Sequence, residues 1–281
     1  MWLVCRVYRR FWGAFHFMST RWGSAVRSGL CGGAWAVLSL LLLPGPVPGA
    51  VLVDLGTSGG VGDPNFTTSP DSNGNHWNNW STTAPMNNLV DTAGQQTGIG
   101  LSIVTAFSGI NDPGGLTAPD PLLLGDFAIS TATRDYFFTT GSSSFLITGL
   151  DSTYLYYLNL FGTRATSFDR VTRYTALGGN GTFEGLLQTS GTNIGSDGAY
   201  DGNDDTIIRL SGIRPNASGQ ILVGVQAYSG GFGYLGALEI GVLPEPSTMG
   251  LLGLGGLAFA GALRRRRSAL ASAMDGARRS R

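Results

Sequence analysis

Between residues 51 and 242 the apolar residues fall in short runs that alternate with polar ones, and each run ends in a cluster of Gly, Asn, Asp, Ser or Pro. Period-two alternation lines one face of an extended chain, whereas a helix needs apolar residues three and four apart, and no stretch of this region offers a convincing amphipathic helix. The candidate strands are 51–55, 100–107, 135–139, 144–148, 154–161, 171–175, 206–210, 220–227 and 236–240. They predict an all-β domain, and a two-sheet, jelly-roll-like β-sandwich fits the count better than a closed barrel. Glycine agrees: 44 of 281 residues is about twice the usual ~7%, and without a G-x-y period the excess means tight turns, not collagen. Phe145 and Ile147, then Tyr154, Tyr156, Leu158 and Leu160, share one face, and the Gly149-Leu150-Asp151-Ser152 turn between them predicts a hairpin.

Charge divides the chain. Every basic residue is Arg: residues 1–49 carry 5 Arg and no acid, 50–242 carry 6 Arg against 16 acids, and 243–281 carry 7 Arg against 2 acids. An acidic body flanked by basic ends excludes nucleic-acid binding, which needs cationic patches to displace counterions, and suits an exported domain with membrane-directed termini. Residues 1–50 read as a secretory signal peptide: 29–43 form an apolar run too short for a comfortable span, followed by Pro- and Gly-rich residues, with cleavage near Ala50. Met18 opens a leader of more usual length and is an alternative start. Both cysteines, Cys5 and Cys31, lie in the leader, so the body has no disulfide, thiolate nucleophile or Cys-ligated metal. The partners implied are the Sec translocon and signal peptidase.

Residues 243–267 have three parts in order: Pro244-Glu245-Pro246-Ser247, a Gly- and Leu-rich apolar run over 248–263, and the cluster Arg264, Arg265, Arg266 and Arg267. The Arg cluster resists crossing a bilayer, which predicts a single C-terminal transmembrane helix with a cytoplasmic C-terminus and an external body. This tail resembles the PEP-CTERM sorting signal of Gram-negative bacteria. The resemblance implies recognition by an exosortase, a membrane transpeptidase that cuts near the PEP motif, and passage from the inner membrane to the cell surface or extracellular matrix. Residues 268–281 form an extension where such tails usually stop. The body, 51–242, resembles galactose-binding-like or malectin-like sandwiches of exported bacterial proteins through VLVDLG at 51–56, Asp91-Thr92-Ala93-Gly94, ATRDYFF at 132–138, LDSTY at 150–154 and GYLGALEI at 233–240.

Few residues suggest chemistry. Gly56-Thr57-Ser58-Gly59-Gly60 matches the G-x-S-x-G nucleophile pattern, but the polar, Pro- and Gly-containing stretch that follows does not make the helix an elbow requires, and the body's single histidine is His76. No catalytic residue is therefore expected. Glu184 and Glu239 are the body's glutamates, and nothing in their spacing opposes them as glycoside cleavage demands. Asp197, Asp201, Asn203 and Asp205 make an oxygen-rich loop of the kind Ca²⁺ prefers, although Thr206 stands where an EF-hand has Gly and Gly212 where it has Glu. The loop reads either as a structural calcium site or as a solvated turn. His76-Trp77-Asn78-Asn79-Trp80 offers aromatic faces for sugar C–H surfaces and amides for hydroxyls; the alternative is that the tryptophans plug the sandwich. Tyr228, Phe232 and Tyr234 form a second aromatic group, with hairpin or core packing as its other reading. Arg134, Arg164, Arg170 and Arg173 are expected to pair with acids. The chain thus reads as a non-catalytic surface or matrix protein that binds extracellular polysaccharide through Trp77, Asn78, Asn79 and Trp80. Its rivals are a secreted carbohydrate-active hydrolase and a permanently anchored structural protein.

Overall fold

The computed structural model describes residues 49–57, 63–192, 194–196 and 200–243. The leader up to residue 48, Ser58, Asp197, the Pro244-to-Arg267 sorting elements with their transmembrane segment, and the 268–281 extension lie outside the described residues. Among the described residues no helix is long and apolar enough to cross a membrane.

The described residues hold thirteen strands: β1 (Val51–Leu55), β2 (Trp77–Trp80), β3 (Gly100–Thr105), β4 (Gly109–Asn111), β5 (Tyr136–Thr139), β6 (Ser142–Thr148), β7 (Tyr156–Phe161), β8 (Arg170–Gly178), β9 (Gly181–Ser190), β10 (Ile208–Ile213), β11 (Ile221–Ser229), β12 (Gly233–Leu235) and β13 (Ala237–Val242). The first sheet has the order β10-β7-β13-β1-β2, the second β3-β6-β11-β8-β9, and a small third sheet β12-β5-β4. The two large sheets enclose one core. Val51, Val53, Leu158, Leu160, Leu238 and Ile240 of the first meet Phe145, Ile147, Tyr174, Ile221, Val223 and Val225 of the second, all at most 1% exposed. Their spacing of two is what the alternation required.

The sequence reading needs correcting at one connection. Strands β6 and β7 do not form a hairpin: β6 pairs with β3 and β11, while β7 pairs with β10 and β13. Both strands bury the expected face, but the turn between them crosses from one sheet to the other, so the shared face is the core seen from opposite sides. Four strands escaped the alternation pattern altogether, β2, β4, β9 and β12.

Strand β1 is buried along its whole length. Val51, Val53 and Leu55 face the sandwich, while Leu52 faces a second, smaller core with Trp77, Phe161 and Ala237 on the outside of the first sheet. Leu116, Leu124 and Phe127 cover it from a segment holding two helical turns, α1 (Pro121–Leu124) and α2 (Ser130–Thr133), with a 3₁₀ turn at Gly125–Phe127. Asp120 caps α1 by accepting from the Leu122 N–H at 2.8 Å, and Pro121 occupies the first turn, where no N–H donor is needed. This segment covers the β1–β2 side of the sheet and leaves part of β7, β13 and β10 open.

Candidate functional site

The open part of the sheet carries a polar row. Glu239 on β13 stands opposite Asn159 on β7, which stands opposite Arg209 on β10. Their neighbours along each strand, Leu238 and Ile240, Leu158 and Leu160, and Leu210, point into the core, so alternation turns these polar side chains outward. Tyr157, two residues before Asn159, shares their face.

The row is tied together through Glu239. Tyr157 donates its hydroxyl to Oε1 at 2.7 Å, and Asn159 donates Nδ2 to Oε2 at 2.6 Å. Burial, followed by the bond to Glu239 and that residue's charge, pushes the Tyr157 hydroxyl up to about 12, so it stays a donor throughout the biological pH range. The Arg209 guanidinium carbon lies 3.7 Å from the centroid of the Tyr157 ring. Gly241 makes this arrangement fit, because a β-carbon there would overlap the Tyr157 ring where it crosses β13. The two protein donors leave lone pairs of the Glu239 carboxyl oxygens for a ligand.

Beside this row lies a cleft of about 310 Å³ lined by Leu122, Leu123, Asp126, Asn159, Ile207 and Glu239. Leu122 is 91% exposed at its rim. A carboxylate, an amide and an apolar wall together suit a ligand with neighbouring hydroxyls and a C–H face, and the volume sits near the lower end of the ~300–1,000 Å³ of small-molecule sites. Tyr157, Asn159 and Arg209 were not singled out from the sequence. The signal available was two polar side chains alternating with Leu158 and Leu160 in an otherwise apolar strand.

Trp77 and Trp80 are not surface platforms. They are 3% and 1% exposed, and because they stand three positions apart on a strand they point to opposite faces. Trp77 joins the outer core, 6.3 Å from Phe127, and donates Nε1 to Asp71 at 2.8 Å. Trp80 lies where the three sheets meet, 5.6 Å from Phe145 and 5.7 Å from Phe137, and donates Nε1 to the Ala84 carbonyl. Asn78 and Asn79 extend the sheet with their amides. Asn78 donates to the Leu52 and Val90 carbonyls and accepts from the Val90 N–H, while Asn79 donates to the Thr67 carbonyl and accepts from the Thr67 N–H. The ligand-binding role expected of residues 77–80 gives way to packing and backbone pairing, since β2 lies parallel to β1 at the sheet's edge.

The described residues of the acidic loop, 200–205, are held by neighbouring backbone and side chains. Asn203 donates to the Gly162 and Thr206 carbonyls and accepts from the Thr206 N–H, and Asp205 accepts from the Thr206 hydroxyl. Among the described residues, Asp201 included, no three His, Cys, Asp or Glu side chains are grouped to hold a metal. The arginines contact aromatic rings where acids were expected. Arg170 lies 4.3 Å from the Phe232 centroid and Arg173 4.5 Å from that of Tyr228, Arg164 donates to the Tyr136 hydroxyl, and the ion pair of the group is Arg134 with Asp112 at 3.9 Å. Tyr234 is buried, Phe232 stacks on it, and Tyr228 is half exposed. Glu184 lies on β9 of the second sheet and Glu239 on β13 of the first, so the two do not meet.

Several solved structures resemble the body over about half of the chain. With TmCBM61 in complex with β-1,4-galactotriose the identity is 11% and the TM-score 0.29, covering 51% of this chain and 88% of that one. With the Podospora anserina GH26-CBM35 β-(1,4)-mannanase they are 15% and 0.30, over 54% and 29%. With the CBM36-1 domain of a xylanase from the hindgut metagenome of Trinervitermes trinervoides they are 11% and 0.27, over 52% and 99%. Values of this size leave the body's chemistry to be read from its own residues. No curated protein matches the sequence. Residues 242–267 match the PEP-CTERM protein-sorting motif, so the chain carries a signal for export and cell-surface sorting, with an exosortase as the processing partner that the motif implies.

Proposed function

We propose that this is a non-catalytic surface protein that binds envelope polysaccharide in the cleft beside β7 and β13. It leaves the cell by the general secretory route, is held briefly in the inner membrane by the 248–263 segment, and is released to the surface when an exosortase cuts near Pro244-Glu245-Pro246. The observation that carries the binding reading is Glu239, fixed by Tyr157 and Asn159 at the edge of an apolar-walled cleft. A pre-positioned carboxylate accepts from neighbouring sugar hydroxyls without reorganising, while Leu122 and Ile207 cover the C–H face. The separation of Glu184 from Glu239 supports a binding role over hydrolysis by that pair.

The test is retention of the protein on a glycan array and on the host's own envelope polysaccharide, comparing wild type with Glu239→Gln. That substitution keeps the shape, removes the charge and sets one amide against the Asn159 donor. Loss of one charge-assisted hydrogen bond, about 1.5–3 kcal/mol, means roughly 10- to 100-fold weaker binding. Unchanged retention would remove the site. Release of reducing ends, abolished in Glu239→Gln or Asp126→Asn, would replace the binding reading by a hydrolase using the two carboxylates that line the cleft.

A further inference from the structure

The cleft beside Glu239 carries a second carboxylate. Asp126, in the 3₁₀ turn at Gly125–Phe127, lines the same space of about 310 Å³ as Asn159 and Glu239. Tyr157 connects the two acids: its hydroxyl donates to Glu239 Oε1 at 2.7 Å, and after burial and Glu239 the charge of Asp126 adds to the upward shift of that same hydroxyl, against the opposing charge of Arg209. Both carboxylates are held in place by amides. Asn159 donates to Glu239 Oε2 at 2.6 Å, and Asn75 donates to Asp126 Oδ1 at 3.1 Å, while no described residue donates to Asp126 Oδ2.

No cation of the protein answers this pair. No arginine lines the cleft, and the chain has no lysine. Arg209, opposite Asn159, has its guanidinium over the Tyr157 ring, and among the described residues the one ion pair is Arg134 with Asp112, so neither Asp126 nor Glu239 is neutralised there. Two carboxylates in a small hollow walled by Leu122, Leu123 and Ile207 focus a negative field into it, which attracts a cationic ligand and repels an acidic one. The surrounding body points the same way, with 6 Arg against 16 acids over residues 50–242. A neutral sugar hydroxyl pairs with a carboxylate through one donor. An ammonium brings three donors and a positive charge, and so serves two carboxylates at once through the stronger, charge-assisted kind of bond.

We propose that the glycan held in this cleft carries free amino groups, as an incompletely N-acetylated hexosamine polymer does, and that one ammonium sits between Asp126 and Glu239 while Leu122 and Ile207 cover the C–H face of the ring. The proposal rests on the cleft as the glycan site and adds the charge of the ligand. Tyr157, Asn159 and Asn75 fix the two carboxylates in advance, so the ammonium meets them without reorganisation. N-acetylation removes the charge, leaves a single N–H donor and adds bulk where the acids stand.

The experiment measures retention of the protein purified from its host, in chelator, on the host's envelope polysaccharide before and after chemical N-acetylation of its amines. Hexamers of glucosamine, N-acetylglucosamine and galacturonate are the defined probes. N-acetylation should weaken retention about 10- to 100-fold, the worth of one charge-assisted hydrogen bond, the glucosamine hexamer should exceed its N-acetylated form by a similar factor, and galacturonate should not be retained. Asp126→Asn should cut the preference for the free amine about tenfold, and Glu184→Gln, on the other sheet, should leave that preference intact. Equal retention before and after N-acetylation, or a preference for galacturonate, overturns the amine and leaves the cleft as a site for uncharged glycan. A preference that falls as far in Glu184→Gln as in Asp126→Asn reports overall charge and overturns the proposal, as does retention that appears only when Ca²⁺ replaces the chelator. No retention on any of these probes overturns both the amine and the cleft.

Discussion

Replacing Trp80 by Ala separates a core residue from a sugar platform. The ring is 1% exposed and lies within 5.7 Å, centroid to centroid, of both Phe137 and Phe145. Truncation removes contacts to all three sheets at once, together with the bond from its Nε1 to the Ala84 carbonyl at 2.9 Å. Aromatic-to-alanine changes in such places cost about 3–5 kcal/mol, because the surrounding sheets relax only partly into the cavity. A domain of this size unfolds with roughly 5–15 kcal/mol, so the loss is a large fraction of the total. It corresponds to a fall in unfolding temperature of about 6–20 °C at ~2–4 °C per kcal/mol. The assay is urea unfolding followed by far-ultraviolet circular dichroism, which does not depend on the deleted fluorophore. The midpoint should fall with little change in slope, and any glycan binding measured well below the transition should survive. A loss under about 1 kcal/mol, or weakened binding at unchanged stability, would refute the placement of Trp80.

Two further outcomes follow from the geometry. Burial raises Asp135 to about 7 in the folded state against 3.8 for the ordinary side chain, so the folded state binds an extra proton between those values. Its stabilising contribution is full below about pH 4 and is lost as pH rises through 7. The swing is up to about 4 kcal/mol by linkage, and is read from denaturation midpoints between pH 4 and 8; a midpoint that rose over this range would contradict the sign. Gly241→Ala should displace the Tyr157 ring and break its bond to Glu239, weakening glycan retention about tenfold while shifting the unfolding temperature far less than Trp80→Ala does. Full retention would mean that the Tyr157–Glu239 contact does not shape the cleft.

Alternation made much of the sandwich legible, since Val51, Phe145, Leu158, Val223 and Ile240 bury the side that period two assigns them. The strands it missed lack that signal for physical reasons. Trp77-Asn78-Asn79-Trp80 resembles a binding loop because its amides look free, and only the strand laid parallel beside it shows that they replace missing backbone partners. On β9 the inward positions Phe183 and Leu187 are interrupted by Gly185 and followed by Thr189, while Leu186 is half exposed, so at the edge of its sheet the apolar alternation is lost. The 144–161 connection reads as a hairpin because a tight turn between two strands is the usual local solution, and sequence carries no mark of which sheet the second strand joins. Glu239, Asn159 and Arg209 are far apart in the chain and become neighbours only through register, so the cleft was readable only as scattered outward-facing polar positions.

The most direct test of the binding face is a backbone hydrogen-exchange footprint of the protein with and without the polysaccharide of its own envelope. Protection should concentrate in residues 121–127 and in β7, β10 and β13 around Asn159, Arg209 and Glu239, with β2 unaffected. Protection centred on Tyr228 and Phe232, or none at saturating polysaccharide, would contradict the assignment of the cleft.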